Sequence, residues 1–154
     1  MTPDHKNVFD PAVVAELSAR ISALTPVTLP LWGKMSVDQM LAHCNVSYEM
    51  VYEDRHARPN WLMRWVLKTI VKSKVVGATP YAKNSPTAPA FRMAGAKDFA
   101  LEQQRLLAFL ERVQRDGERT FNGKESASFG PLTSSEWNVL FYKHLDHHLM
   151  QFGV

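Results

Sequence analysis

The chain has 154 residues, 45% hydrophobic and 21% charged, which excludes an intrinsically disordered chain and fits a single domain over residues 1–154 with a sizeable core. Its formal charge of +3 comes without a long basic arm, so nucleic acid is not the default partner. No uncharged stretch reaches the roughly 18 residues of a spanning helix, which excludes stable membrane insertion as an expectation.

In chain order, the first helical pattern opens at Asp10 as N-cap and Pro11 as first helical residue. It runs through Val14, Leu17, Ile21 and Leu24 and stops before Pro26. A Pro-rich connection over 25–34 leads to the second, where Ser36 and Gln39 have the spacing of a capping box and Val37, Leu41, Cys44, Tyr48 and Val51 form an apolar stripe. A long insertion follows, over 55–96. Within it Asn60 can cap a shorter amphipathic helix with Trp61, Leu62, Trp65, Val66 and Ile70 on one side and Arg64, Lys68 and Lys72 on another. Residues 77–89, with Pro80, Pro86 and Pro89, read as loop. The third main helix is expected over 97–115, with Phe99, Leu106, Leu110 and Val113 inward and Gly117 as C-cap. Thr133 and Glu136 form a second capping box and open the last helix. No strand signal is strong, so the expected fold is all-α, a four-helix bundle with a long crossover between its second and third helices.

The last helix carries the chemistry. At about 100° per residue, His144 and His148 project about 20° either side of Trp137, in the middle of an apolar arc that includes Leu140, Phe141, Leu145 and Phe152. His147 falls at the edge of the arc and Asp146 opposite it. Two histidines four apart share a helix face, the geometry a metal ion needs. His43 flanks the core stripe of the second helix, so packing of these two helices brings three imidazoles together. Three neutral nitrogens suit zinc, nickel or ferrous iron and leave coordination positions open for water or substrate. The competing reading is that these are core histidines satisfied by hydrogen bonds.

Other patterns carry less. The zincin motif needs Glu where Leu145 stands, and a di-iron bundle needs two Glu-x-x-His motifs where only Glu53 with His56 has the spacing. There is no nucleophile elbow, Walker loop or dinucleotide fingerprint. Cys44, the single cysteine, excludes an internal disulfide, fits a reducing compartment and reads as a small core residue. Tyr142 and Lys143 read as a solvated face. Asp38 and Glu49 project away from His43, which leaves the general base and every catalytic residue unassigned. The helix around Trp61 and Trp65 reads either as a lid covering the bundle end, or as an electropositive gate that favours an anionic substrate, or as a membrane-surface contact; Arg92 is a candidate carboxylate partner. The start, Met1-Thr2-Pro3-Asp4-His5-Lys6, lacks the apolar region of a signal peptide, so a cytoplasmic protein is expected.

The stretch Leu31-Trp32-Gly33-Lys34-Met35-Ser36-Val37-Asp38-Gln39-Met40-Leu41-Ala42-His43-Cys44, with Phe129-Gly130-Pro131-Leu132-Thr133 and the ending from Lys143 through His148 to Val154, resembles the DinB-like (YfiT-like) superfamily of metalloenzymes. Within it, the chain resembles a branch described only as a domain of unknown function. The resemblance implies a four-helix bundle with a three-histidine site, one ligand from the second helix and two from the last, which fall on His43, His144 and His148. It further implies a divalent metal, a low-molecular-weight thiol as co-substrate, a homodimer, and a small-molecule S-transferase, isomerase or hydrolase reaction. The alternative from a different class is a non-catalytic metal- or ligand-binding bundle, such as a stress-associated sensor or carrier.

Overall fold

Local signals at the helix ends explain where the helices start. The computed structural model describes residues 5–154, so most of the N-terminal hexapeptide lies outside the described residues. Asp10 accepts from the Ala12 N–H (2.8 Å) and Pro11 occupies the first turn of α1 (Pro11–Ala23). At α2 (Val37–Tyr52) the Gln39 side chain accepts from the Ser36 N–H. At α6 (Ser134–Gln151), Thr133 accepts from the Glu136 N–H while Glu136 accepts from the Thr133 N–H, a complete capping box.

α2 is the central element. It lies against α5 (Phe99–Phe121) and α6, and α1 packs on both of those helices. Consequently α2 is buried on nearly all sides from Met40 to Glu49. Leu17 and Ile21 of α1, Met40, Leu41, Cys44 and Tyr48 of α2, Leu106, Leu110 and Val113 of α5, and Trp137, Phe141, Leu145 and Leu149 of α6 share one core. Full burial of each large apolar side chain is worth roughly 1.5–3 kcal/mol. Tyr48 sits stacked between Phe109 (5.5 Å) and Phe141 (4.9 Å) and so ties three helices together.

Three features depart from the sequence expectations. The third main helix does not end at Gly117. That residue breaks it with φ 76° and ψ 166°, and one further turn resumes as far as Phe121. The buried Phe121 ring packs on Phe9, Trp137 and Phe141, which draws this turn back onto the core. Second, a two-stranded antiparallel hairpin, β1 (Glu125–Ser126) and β2 (Gly130–Pro131), precedes α6. Two residues per strand are too few to register as an alternating pattern.

The third departure is the insertion. Asn60 does cap a helical run, accepting from the Met63 N–H. The run comprises α3 (Trp61–Val66), a π-helical turn (Leu67–Val71) and α4 (Lys72–Val76); a 3₁₀ turn (Pro89–Phe91) follows further on. Of the readings above, the lid does not hold: Trp61 and Trp65 face solvent, and Leu67, Val71, Val75 and Val76 pack on the core. The helix is apolar on several faces, so hydrophobicity alone does not choose which one packs. Charge helps to choose: Arg64 pairs with Glu125, and Lys72 with Glu136 at 2.9 Å. These cations are engaged beside the N-terminal end of α6, about 12 Å of helix rise away from His144, and form no gate over the histidines. No helix of the described residues is long and apolar enough to cross a membrane.

A buried carboxylate fastens α2 to α5 and to the start of the crossover. Glu49 accepts from Arg105 (2.6 Å) and Arg55 (3.3 Å) and contacts the His56 Nε2 (2.6 Å). Burial alone would raise its pKa, but the hydrogen bonds from His56 and Arg105 and the charges of Arg105 and Arg55 outweigh it and hold the carboxyl below its ordinary value. A depressed carboxyl contributes stability above the unfolded pKa of about 4.3 and loses it as pH falls through the folded value. Glu49→Gln is therefore expected to cost about 2 kcal/mol at pH 7, with the gap closing below about pH 4. Urea unfolding of both proteins across that range checks it; a gap that is absent at pH 7, or that does not change with pH, contradicts the linkage.

Candidate metal centre

α2 and α6 pack so that His43 faces His144 and His148, which lie one turn apart. The His43 Nε2 is 3.0 Å from the His144 Nε2, and ligand nitrogens of all three rings lie within 4.8 Å of one another. His43 and His148 are 5% and 8% exposed, while His144 keeps partial contact with solvent. This cluster can hold a metal ion.

The outward nitrogens decide what the inward ones can do. The His43 Nδ1 lies 2.8 Å from the Phe91 carbonyl, which can only accept, so this nitrogen carries the proton and the Nε2 presents a lone pair. The His148 Nδ1 lies 2.7 Å from the Gln151 Oε1. The Gln151 amide in turn donates its Nε2 to the Trp32 carbonyl at 2.8 Å, which sets its oxygen toward the imidazole. The His144 Nδ1 lies 3.1 Å from the Ser47 hydroxyl, a group able to donate or accept. With Ser47 accepting, three Nε2 lone pairs point at one place, and two at 3.0 Å repel unless a cation lies between them. Tetrahedral ligands at about 2.0–2.1 Å from an ion lie roughly 3.4 Å from each other, a separation within the span of these nitrogens. With Ser47 donating, the His144 Nε2 is protonated and bonds to His43, and the cluster is satisfied as a hydrogen-bonded core.

Electrostatics favours the neutral rings that a metal requires. Burial lowers all three, His148 to about 3. Mutual repulsion adds to the effect at His144 and His148, whereas the Phe91 carbonyl opposes it at His43.

Aromatic side chains surround the cluster. Phe91 sits 5.4 Å from His43 and 5.7 Å from His144, and Tyr81 lies edge-on to His144 and to His147. His147 faces Trp32 and Tyr81 and is no member of the cluster. Gln151 approaches the chain so closely at Gly33, where φ is +82°, that a Cβ there would stand 2.5 Å from its Nε2. Only glycine fits both the backbone and the space.

Lys143 corrects the expectation of a solvated face. It is 4% exposed, and its Nζ donates to the carbonyls of Lys74 (2.8 Å), Gly77 (2.6 Å) and Thr79 (3.1 Å), beneath the Tyr81 ring. Tyr142 is buried as well. Burial pulls the Lys143 pKa down to about 8, while three carbonyl acceptors and the ring face match the three donors of an ammonium, which stays charged at neutral pH. Helical projection assigns a charge to solvent and misses a lysine whose partners come from another segment. Ser47 and Gln151 do have a signal, at i+4 from His43 and i+3 from His148.

The remaining expected residues lie apart from the cluster. Asp38 accepts from the Lys97 N–H and Glu49 belongs to the Arg105 network, so neither serves the histidines. Arg92 is exposed and donates to the Thr87 carbonyl rather than pairing with a carboxylate. Cys44 is buried beside Met40, and burial pushes its thiol pKa up, as suits a core residue.

Over residues 12–153 the chain matches the family described as Protein of unknown function (DUF1569), and it belongs to that family. No curated protein and no solved structure matches it.

The Lys143 clamp ties the crossover to α6 next to His144. Lys143→Met keeps most of the side-chain volume and removes every donor, so amide exchange of residues 74–81 is expected to accelerate by about 10-fold or more while α2 and α5 stay protected. Unchanged exchange in this segment shows that the lysine does not hold it.

Proposed function

We propose that this member of the family binds a divalent cation through His43, His144 and His148 in a DinB-like four-helix bundle and acts as a metal-dependent enzyme on a small molecule. The observation that supports this most is the pattern of outward hydrogen bonds: Phe91 and Gln151 fix the two outer rings as Nδ1–H tautomers, and Ser47 can fix the third. The His43 and His148 lone pairs are thereby both turned into the cluster. Zinc, nickel and ferrous iron suit a site of three neutral nitrogens.

A divalent ion on three imidazoles supplies Lewis acidity and lowers the pKa of a water or a low-molecular-weight thiol. The chain's own contribution is orientation and shelter. Tyr81 and Phe91 restrict water around the histidines, and Lys83, 4.2 Å over the Trp32 ring that faces His147, is a cation on that side that suits an anionic substrate. No carboxylate hydrogen-bonds the three rings among the described residues. A reaction in which a thiol arrives as the nucleophile needs least from a protein base, which favours S-transfer over hydrolysis. The same lack of a base favours the second reading, a non-catalytic metal or ligand carrier.

Elemental mass spectrometry of untagged protein is expected to find near-stoichiometric zinc, nickel or iron, and its loss in a folded His144→Ala/His148→Ala variant. A parent that stays metal-free after incubation with zinc and nickel contradicts the site. Because burial lowers the pKa of all three rings, zinc affinity is expected to fall much less between pH 7.5 and 5.5 than the factor on the order of 10³ that three ordinary histidines would lose. Isothermal titration at both pH values distinguishes these. Metal-dependent consumption of a thiol with an electrophile supports the enzyme; stoichiometric metal without turnover supports the carrier.

A further inference from the structure

The metal-site reading leaves the outer face of the crossover helix unused. Trp61 is 81% exposed, and Trp65 and Ile70 are each 58% exposed; Leu62 and Met63 are exposed beside them. The face is not a misplaced core. The same helix buries Leu67, Val71, Val75 and Val76 against the core and is anchored by Lys72 on Glu136 and by Lys143 on the carbonyls that end it. The π turn over Leu67–Val71 advances less rotation per residue than an α turn, which swings Ile70 toward the side of Trp65.

Charge identifies what would cover this face. Residues 55–97 contain nine of the 18 Lys and Arg residues of the chain and none of its 15 Asp and Glu. Arg55, Arg64 and Lys72 are committed to carboxylates, but Arg58, Lys68 and Lys74 are exposed and have no ion pair among the described residues. Four of the nine, Arg64, Lys68, Lys72 and Lys74, lie on the helical run itself, which carries no carboxylate of its own, so its exposed side is locally positive.

We propose that the α3–α4 run docks the protein on an anionic lipid surface, with Trp61, Leu62, Trp65 and Ile70 in the headgroup boundary and Lys68 and Lys74 against the lipid phosphates. Exposed tryptophans on an amphipathic helix with lysines at its flank match the chemistry of an interfacial helix. The helix is too short and too charged to cross the bilayer and lies in its surface plane. A nucleic acid would use the lysines and the indole rings but gain little from Leu62, Met63 and Ile70. A second copy of the chain would bring the same positive charge to the contact.

Flotation of the full chain with phosphatidylcholine vesicles, with and without about 30% phosphatidylglycerol, tests this. Binding is expected on the anionic vesicles only, weakening as salt rises. Trp61→Ala/Trp65→Ala, two exposed substitutions that should leave circular dichroism and metal content unchanged, is expected to lower the affinity about 10-fold or more. Lys68→Glu/Lys74→Glu is expected to lower it as well and to flatten the salt dependence. Failure to float with anionic vesicles overturns the proposal, as does a tryptophan variant that binds like the parent. A dimer dissolved by the tryptophan substitutions, or binding to nucleic acid, in either case without flotation, reassigns the face and equally overturns it.

Discussion

Three imidazoles brought together in a largely buried site, with the His43 and His144 Nε2 atoms 3.0 Å apart, are the constraint around which the connections of this molecule are organised. Neutral histidine has one donor and one acceptor, so the group bonded to its outer nitrogen determines what the inner nitrogen offers. The Phe91 carbonyl and the Gln151 amide make that choice for His43 and His148, and each brings a different part of the chain to the site. Phe91 comes from the end of the crossover. Gln151 closes the last helix and binds the loop that enters α2 through the Trp32 carbonyl. The connections are therefore part of the site, and the close approach at Gly33 is a consequence.

The crossover is fastened along α6 at successive levels. Arg64 reaches Glu125 in the hairpin, Lys72 reaches Glu136 in the first turn of α6, Lys143 collects the three carbonyls at the end of α4, and Tyr81 then stands beside His144 and His147. A lysine this buried is costly unless all its donors are matched, and here each has an acceptor within 3.1 Å. The clamp sits one residue before His144, so the position of the aromatic wall and the position of a ring in the cluster depend on the same turn of helix.

Much of the helical framework was legible in the sequence because its signals are local. Asp10 with Pro11, Ser36 with Gln39, Asn60, and Thr133 with Glu136 mark helix starts, and the 3.6-residue spacing of Leu17 and Ile21 or Leu106, Leu110 and Val113 marks inward faces. The three histidines were legible for the same reason, since their projection depends only on helix geometry. What failed was non-local. The burial of Lys143 depends on carbonyls over 60 residues away, and the solvent exposure of Trp61 and Trp65 on which face Glu125 and Glu136 attract. Gly117 carried a correct signal for a helix break; the extra turn to Phe121 comes from long-range packing on Phe9 and Trp137.

X-ray absorption at the metal edge of zinc- or nickel-loaded protein addresses the central proposal most directly, because it reads the donor atoms themselves. Three imidazole nitrogens at about 2.0–2.1 Å, with the remaining positions filled by oxygen or sulfur and the imidazole pattern lost when His43 is replaced, is the predicted spectrum. A shell of oxygens alone, or an imidazole count unchanged by His43→Ala, would contradict a centre built from His43, His144 and His148 and leave these residues as a hydrogen-bonded core.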